Sequence, residues 1–121
     1  MKILITGSSG FIGFHLSKKL LEKGHKIHGF DSMNNYYDIR LKNSRYKILK
    51  KFKNFSFKKS KLENKKNLDK SFKKFKPQIV IHLAAQAGVR YSIEKPRVYL
   101  DSNITGTYNI IEISKTLDVK I

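Results

Sequence analysis

ITGSSGFIGFH, Ile5–His15, carries glycines at Gly7, Gly10 and Gly13, every third position directly after an apolar run. The run Lys2–Thr6 reads as a short buried strand, and Phe11–Lys23 reads as a helix stopped at Gly24. Ile12, Leu16 and Leu20 share one face of that helix by spacing. A glycine-punctuated turn between strand and helix has two uses. It is a plain connection, or it is a cradle for phosphates, because the first N–H groups of a helix have no intrahelical acceptor. In a cradle each glycine has a task. Gly7 permits the sharp exit from the strand, Gly10 lets the backbone approach a pyrophosphate, and Gly13 lets the helix pack closely.

Beyond the turn, the chain alternates strand-like and helix-like segments. Lys26–Asp31 reads as a second strand and Tyr37–Lys51 as a helix with Leu41, Arg45 and Leu49 on a stripe. Phe55–Lys59 reads as a third strand. Glu63–Phe75 follows as a helix with Leu68, Phe72 and Phe75 in register, stopped by Pro77. Gln78–Leu83, QIVIHL, is the nearly unbroken apolar run of a strand buried on both faces. After a loop, Val98–Leu117 reads as one long helix with Leu100, Ile104, Tyr108 and Ile111 as its apolar stripe. Val119–Ile121 begins another strand. The pattern predicts an α/β fold: a Rossmann-like, doubly wound parallel sheet of four strands plus the start of a fifth, with helices on both faces. Residues 1–121 are expected to belong to one such domain, truncated.

The second strand ends in an acid. Asp31 lies 24 residues after Gly7, where a carboxylate takes both hydroxyls of an adenosine ribose. It would repel a 2′-phosphate, and Ser32-Met33-Asn34 supplies no arginine to counter it. The spacing therefore favours NAD over NADP.

Composition narrows the remaining classes. The 121 residues hold 26 Lys and Arg against 9 Asp and Glu, a net charge of +17, with 40% apolar residues and no cysteine. Such a chain has enough apolar content for a packed core and no disulfide framework or thiolate metal site. The four histidines lack metal-ligand spacing, and no apolar run approaches the ~18 residues of a membrane helix. The expectation is a cytoplasmic protein that engages neither membrane nor metal. Between Arg40 and Lys76 lie 16 of the basic residues and two acids, so +14 of the net charge falls there. A stripe of that kind binds polyanions or is a solvated face. The lysines are interrupted by core-spaced Leu and Phe and carry no nucleic-acid-binding motif, which favours the solvated face.

TGSSGFIG, Asp31 and HLAAQAGVR together resemble the extended short-chain dehydrogenase/reductase family, the nucleotide-sugar epimerases and dehydratases. DSMNNYYD, Asp31–Asp38, and HLAAQAGVRYSIEKP, His82–Pro96, resemble its UDP-glucuronate 4-epimerase branch. The resemblance spans the whole chain but only about the first third of the family's usual length, so the expectation is an N-terminal fragment without the substrate domain. It implies a bound NAD and a UDP-sugar substrate. It places Gly7, Gly10, Phe11 and Ile12 along the pyrophosphate, with Gly13 in the same cofactor-binding set, and Asp31, Ser32 and Asn34 at the adenosine ribose. Leu62 would lie near the adenine. Leu83, Ala84, Ala85 and Gln86 would line the nicotinamide-side ribose, and Asn103 would stand near the active site. Arg90 and Ser92 are the expected substrate contacts, Arg90 because a guanidinium pairs a sugar carboxylate in bidentate fashion. The resemblance also implies a homodimer.

Many family members carry an acid near the adenine where this chain has Lys61. The implied reaction passes UDP-glucuronate through a 4-keto sugar to UDP-galacturonate, with a Tyr-x-x-x-Lys pair as its acid–base machinery. That pair belongs to later elements, so the chain is expected to carry no catalytic residue and to be inactive alone. Tyr46 with Lys50, and Tyr91 with Lys95, have the spacing by chance; Lys95 precedes Pro96, which biases it away from helix. A dehydratase or another epimerase of the family is the near alternative. A basic nucleotide- or nucleic-acid-binding module without catalysis is the distant one.

Overall fold

The structure, a computed structural model, describes all 121 residues. Four strands, β1 (Lys2–Thr6), β2 (Lys26–Asp31), β3 (Phe55–Lys59) and β4 (Ile79–His82), form one parallel sheet in the order β3-β2-β1-β4. The chain winds outward from β1 to β3, then crosses back to place β4 on the other side of β1. Register is set by apolar pairs such as Ile3 with Ile27 and Ile79, and Ile5 with Ile81. A single parallel bridge between Ile79 and Lys120 marks a fifth strand position beside β4. This is the doubly wound arrangement expected from the alternation.

Alternation along β1 sorts the core into two layers, as period-two side chains must. Ile3 and Ile5 pack with Ile27, Phe14, Leu21 and Leu49 on one face; Leu4 packs with Phe30, Val80, Leu68, Phe72, Ile110 and Ile113 on the other. The first layer is covered by α1 (Phe11–Glu22) and α2 (Ile39–Lys50), the second by α3 (Lys65–Phe75) and α6 (Gly106–Thr116). Asp38 caps α2 through the Arg40 N–H, and Asn64 caps α3 through the Asn67 N–H. Both caps shorten the helices expected from spacing, because a side chain that accepts the N-terminal N–H groups sets the start.

Three apolar stripes differ from expectation. In α1 the buried residues are Gly13, Phe14, Ser17 and Leu21, while Ile12 is exposed. The buried face is turned by one position because Gly13 lies against the glycine turn: a Cβ there would stand 2.0 Å from the Gly7 carbonyl oxygen. In α2 only Leu49 of the stripe is buried, and Leu41 is exposed. The helix expected over Val98–Leu117 is instead composite. It opens with α5 (Pro96–Tyr99), proline in the first turn, widens into a π-helical segment over Leu100–Thr105, and continues as α6. The wide turn resets the register. Leu100, Ile104, Tyr108 and Ile111 face outward, and Gly106, Asn109, Ile110 and Ile113 face the core. A further helix, α4 (Val89–Glu94), occupies part of the expected loop. On β4 only Val80 is fully buried, since one long side of that strand has a single bridging residue beside it.

Candidate functional site

A cavity of about 320 Å³ opens at the carboxyl ends of β1, β2 and β4. It sits where the chain reverses direction across the sheet, the place where open α/β sheets bind ligands. The β1–α1 turn forms its floor. Gly7 has φ +72°, and a Cβ there would meet the Ala84 backbone nitrogen at 2.9 Å. The turn and the β4 exit therefore touch directly. Gly10 differs: a Cβ there would meet only the Gly7 carbonyl oxygen, at 3.2 Å, and otherwise open space. Gly10 brings no side chain to cap α1, so the N–H groups of Phe11 and Ile12 face that space with the positive end of the helix dipole behind them. Phe11 and Ile12 are exposed at the mouth of the turn.

One wall is built on Asp31. Its side chain is 4% exposed. The Ser9 N–H donates to Oδ2 at 3.0 Å and the Met33 N–H to Oδ1 at 2.8 Å. Lys42, reaching back from α2, places Nζ 3.5 Å from Oδ1 with only 12% of its own side chain exposed. Ser32, Asn34, Lys61 and Leu62 line the same wall. Leu62 is buried under α6, where a Cβ on Gly106 would stand 2.6 Å from its own Cβ, and the Asn109 amide donates to its carbonyl oxygen at 3.0 Å. Gly106 thus permits close approach of α6 to the loop after β3.

The opposite wall is the β4 exit, Leu83, Ala84, Ala85 and Gln86. Thr6, at the end of β1, holds it: the N–H groups of Leu83 and Ala84 donate to Thr6 Oγ1 at 3.0 and 3.1 Å. Asn103 holds its far end. Its Oδ1 accepts from the Gln86 N–H at 2.7 Å and its Nδ2 donates to the Gln86 carbonyl at 3.0 Å. Asn103 lies inside the π-helical segment, and the wide turn is what presents it there; such turns recur at functional sites.

Of the residues singled out from sequence, the cavity gathers Gly7, Asp31, Ser32, Asn34, Leu62, Leu83, Ala84, Ala85 and Gln86. Gly10, Phe11, Ile12 and Gly13 form the adjoining turn and helix start. Asn103 stands behind Gln86 rather than in the wall. Arg90 and Ser92 are not brought in: Arg90 is 94% exposed and pairs with Glu94 at 3.5 Å, while the Ser92 hydroxyl donates to the Val89 carbonyl. Lys95 ends α4 with φ −133°, so it does not share a helical face with Tyr91. Tyr46 packs on Phe57 with ring centroids 4.7 Å apart. Sequence reading missed Lys42 and Tyr36. Tyr36 and Tyr91 line the cavity with ring centroids 4.7 Å apart, joining its two lips. No group of three or more His, Cys, Asp or Glu could hold a metal, and no helix is long and apolar enough to cross a membrane. Most of the Arg40–Lys76 lysines are exposed on α2, α3 and the adjoining loops, Lys42 being the inward exception.

A protein-family model described as GDP-mannose 4,6 dehydratase matches residues 4–121. The chain is 55% identical over 120 residues to Protein CapI of Staphylococcus aureus, covering 99% of this chain and 36% of that one. It is 46% identical over 120 residues to a probable UDP-glucuronate 4-epimerase of Rhizobium meliloti, covering 99% and 35%. Among solved structures it resembles the UDP-glucuronic acid 4-epimerase from Bacillus cereus in complex with UDP-glucuronic acid and NAD. There the TM-score is 0.86 and the identity 33%, over 95% of this chain and 36% of that one. The Thermus thermophilus UDP-glucose 4-epimerase in complex with NAD gives a TM-score of 0.83 and 29% identity, over 98% and 35%. The chain spans about a third of the length of the relatives it matches.

Proposed function

The chain belongs to the GDP-mannose 4,6-dehydratase family, and on that premise we propose that residues 1–121 are the NAD-binding part of a nucleotide-sugar 4-epimerase acting on UDP-glucuronate. The observation that carries the reading is the cavity itself, with the Gly7 turn at its floor, a buried acid on one wall and Ala84 and Ala85 on the other. The open space at Gly10 beside unfilled helix N–H groups fits a diphosphate. In this reading Gly7, Gly10, Phe11, Ile12 and Gly13 cradle the diphosphate. Asp31, Ser32 and Asn34, with Lys42 steadying the acid, hold the adenosine ribose, and Leu62 flanks the adenine. Leu83, Ala84, Ala85 and Gln86 bound the nicotinamide side, with Asn103 fixing Gln86.

NAD supplies a reversible hydride acceptor. This chain's residues bind and orient it; the acid–base pair of the reaction is assigned to the rest of the whole protein. Arg90, exposed and held only by Glu94 one turn on, is the proposed contact for the sugar carboxylate, with Ser92 beside it. Leu100, Ile104, Tyr108 and Ile111 form an exposed apolar stripe, which a second copy covers in a homodimer. The lack of cysteine fits a cytoplasmic setting. Nucleic acid is not a partner in this reading.

The test is to supply the whole protein with UDP-glucuronate and follow the sugar by NMR. Interconversion with UDP-galacturonate supports the reading. A 4-keto pentose formed with loss of carbon dioxide and reduction of NAD, or no turnover in the presence of NAD, overturns it.

A further inference from the structure

His82, the last residue of β4, sits between two threonines from different elements. Its Nδ1 lies 2.7 Å from Thr6 Oγ1 and its Nε2 2.9 Å from Thr107 Oγ1, in α6. Thr6 Oγ1 also receives the N–H groups of Leu83 and Ala84. A hydroxyl has one hydrogen to give and two lone pairs to receive. Backbone N–H groups only donate, so the Leu83 and Ala84 amides use both lone pairs. The hydroxyl hydrogen then has one remaining partner, Nδ1 of His82. That nitrogen must be an acceptor, and the neutral ring carries its hydrogen on Nε2, donated to Thr107.

From this count we propose that His82 is a positioning residue for the cofactor wall, locked as the Nε2–H tautomer, which turns the Thr6 hydroxyl so that both of its lone pairs meet the Leu83 and Ala84 amides. Those amides begin the wall, and Ala84 is where the glycine turn touches it. An Nδ1–H ring would place a third donor on Thr6, and one amide would lose its acceptor. Burial also holds His82 below the ordinary histidine range, in keeping with a neutral ring. The partners of the two nitrogens, not the ring's packing, therefore set the tautomer.

The functional part of this inference rests on the proposed NAD site; the tautomer does not. The first test is nitrogen NMR of the histidine-labelled protein, with the His82 signals assigned by their loss in a variant. The expected pattern is a protonated Nε2 and an unprotonated Nδ1. An Nδ1–H pattern, or a mixture averaging the two, overturns the proposal. The second test compares His82→Asn, which keeps an acceptor near the Nδ1 position, with His82→Phe, which keeps only a ring. NAD affinity is expected to fall by about tenfold or more in His82→Phe, the order of 1.4 kcal/mol, and to be largely restored in His82→Asn. Equal loss in both overturns the positioning role. If the unaltered protein binds no NAD, the functional reading fails and the NMR pattern still decides the tautomer; it also decides should His82→Phe not fold.

Discussion

The Ser9 backbone N–H donates to Oδ2 of Asp31 across 3.0 Å, tying the glycine turn to the acid at the end of the next strand. The ribose end and the phosphate end of the cavity are therefore one construction, and moving either moves the other. Asp31→Ala removes the acceptor of Ser9 and Met33 and leaves the nearly buried Lys42 ammonium without its partner. The expected outcome is a stability loss of about 1–3 kcal/mol by urea titration, with NAD affinity lowered about tenfold or more by calorimetry. Asp31→Asn, which keeps one acceptor oxygen, is expected to recover part of the stability and little of the affinity.

The three glycines separate by what surrounds them. Gly13→Ala forces a methyl to within 2.0 Å of the Gly7 carbonyl oxygen, a backbone atom that has no flexible end to give way. It is expected to cost several kcal/mol or to prevent folding, read from the thermal midpoint. Alanine at Gly7 is strained as well, because φ there is +72°.

The α3 layer stands on two fully buried side chains, Leu68 and Phe72. Phe72→Ala is expected to lower stability by about 3–5 kcal/mol and Leu68→Ala by about 2–5 kcal/mol. Phe75→Ala, at the partly open edge where the ring stacks on His28, is expected to cost less than either. Urea midpoints that do not follow this order would count against the two-layer core.

Burial, with Lys74 adding repulsion, pushes His28 down to about 4. An unfolded histidine titrates near 6.5. The folded chain keeps His28 neutral while the unfolded chain takes up a proton, so its contribution is intact above about pH 6.5 and is lost as pH falls toward about 4. His82, shifted the same way by burial, adds to that fall. Urea midpoints at pH 7 and pH 5 are expected to differ more in the unaltered protein than in His28→Leu; parallel midpoints would remove His28 from the account.

Much of this was legible before the structure. β1 is a short apolar run, β2 and β3 are short segments of apolar and aromatic residues bounded by glycine, asparagine or charge, and the limits of all three read directly. Asp31 and the glycine turn follow from local spacing. What was not legible lies in longer relationships. The outward turn of Leu100, Ile104, Tyr108 and Ile111 depends on the π-helical segment, and an i, i+4 count assumes there is none. Lys42 reaches Asp31 from a helix whose other basic residues are mostly solvated, so nothing in its neighbours marks it. The Thr6–His82–Thr107 chain joins three elements that only the sheet order brings together. Arg90 has the chemistry and loop position of a carboxylate contact in the sequence, and the structure leaves it at the surface beside Glu94.

The central claim is that a dinucleotide lies across the carboxyl rim with its diphosphate on the α1 N-terminus. Gly10→Val tests it most directly, because a Cβ there meets only the Gly7 carbonyl oxygen, at 3.2 Å, and the branched side chain would stand where the diphosphate would lie. Calorimetry with NAD is predicted to give one-to-one binding for the unaltered protein and no detectable binding for Gly10→Val, with the far-ultraviolet circular dichroism of the two superimposable. Equal binding by both proteins, or no heat from the unaltered one, would contradict the claim.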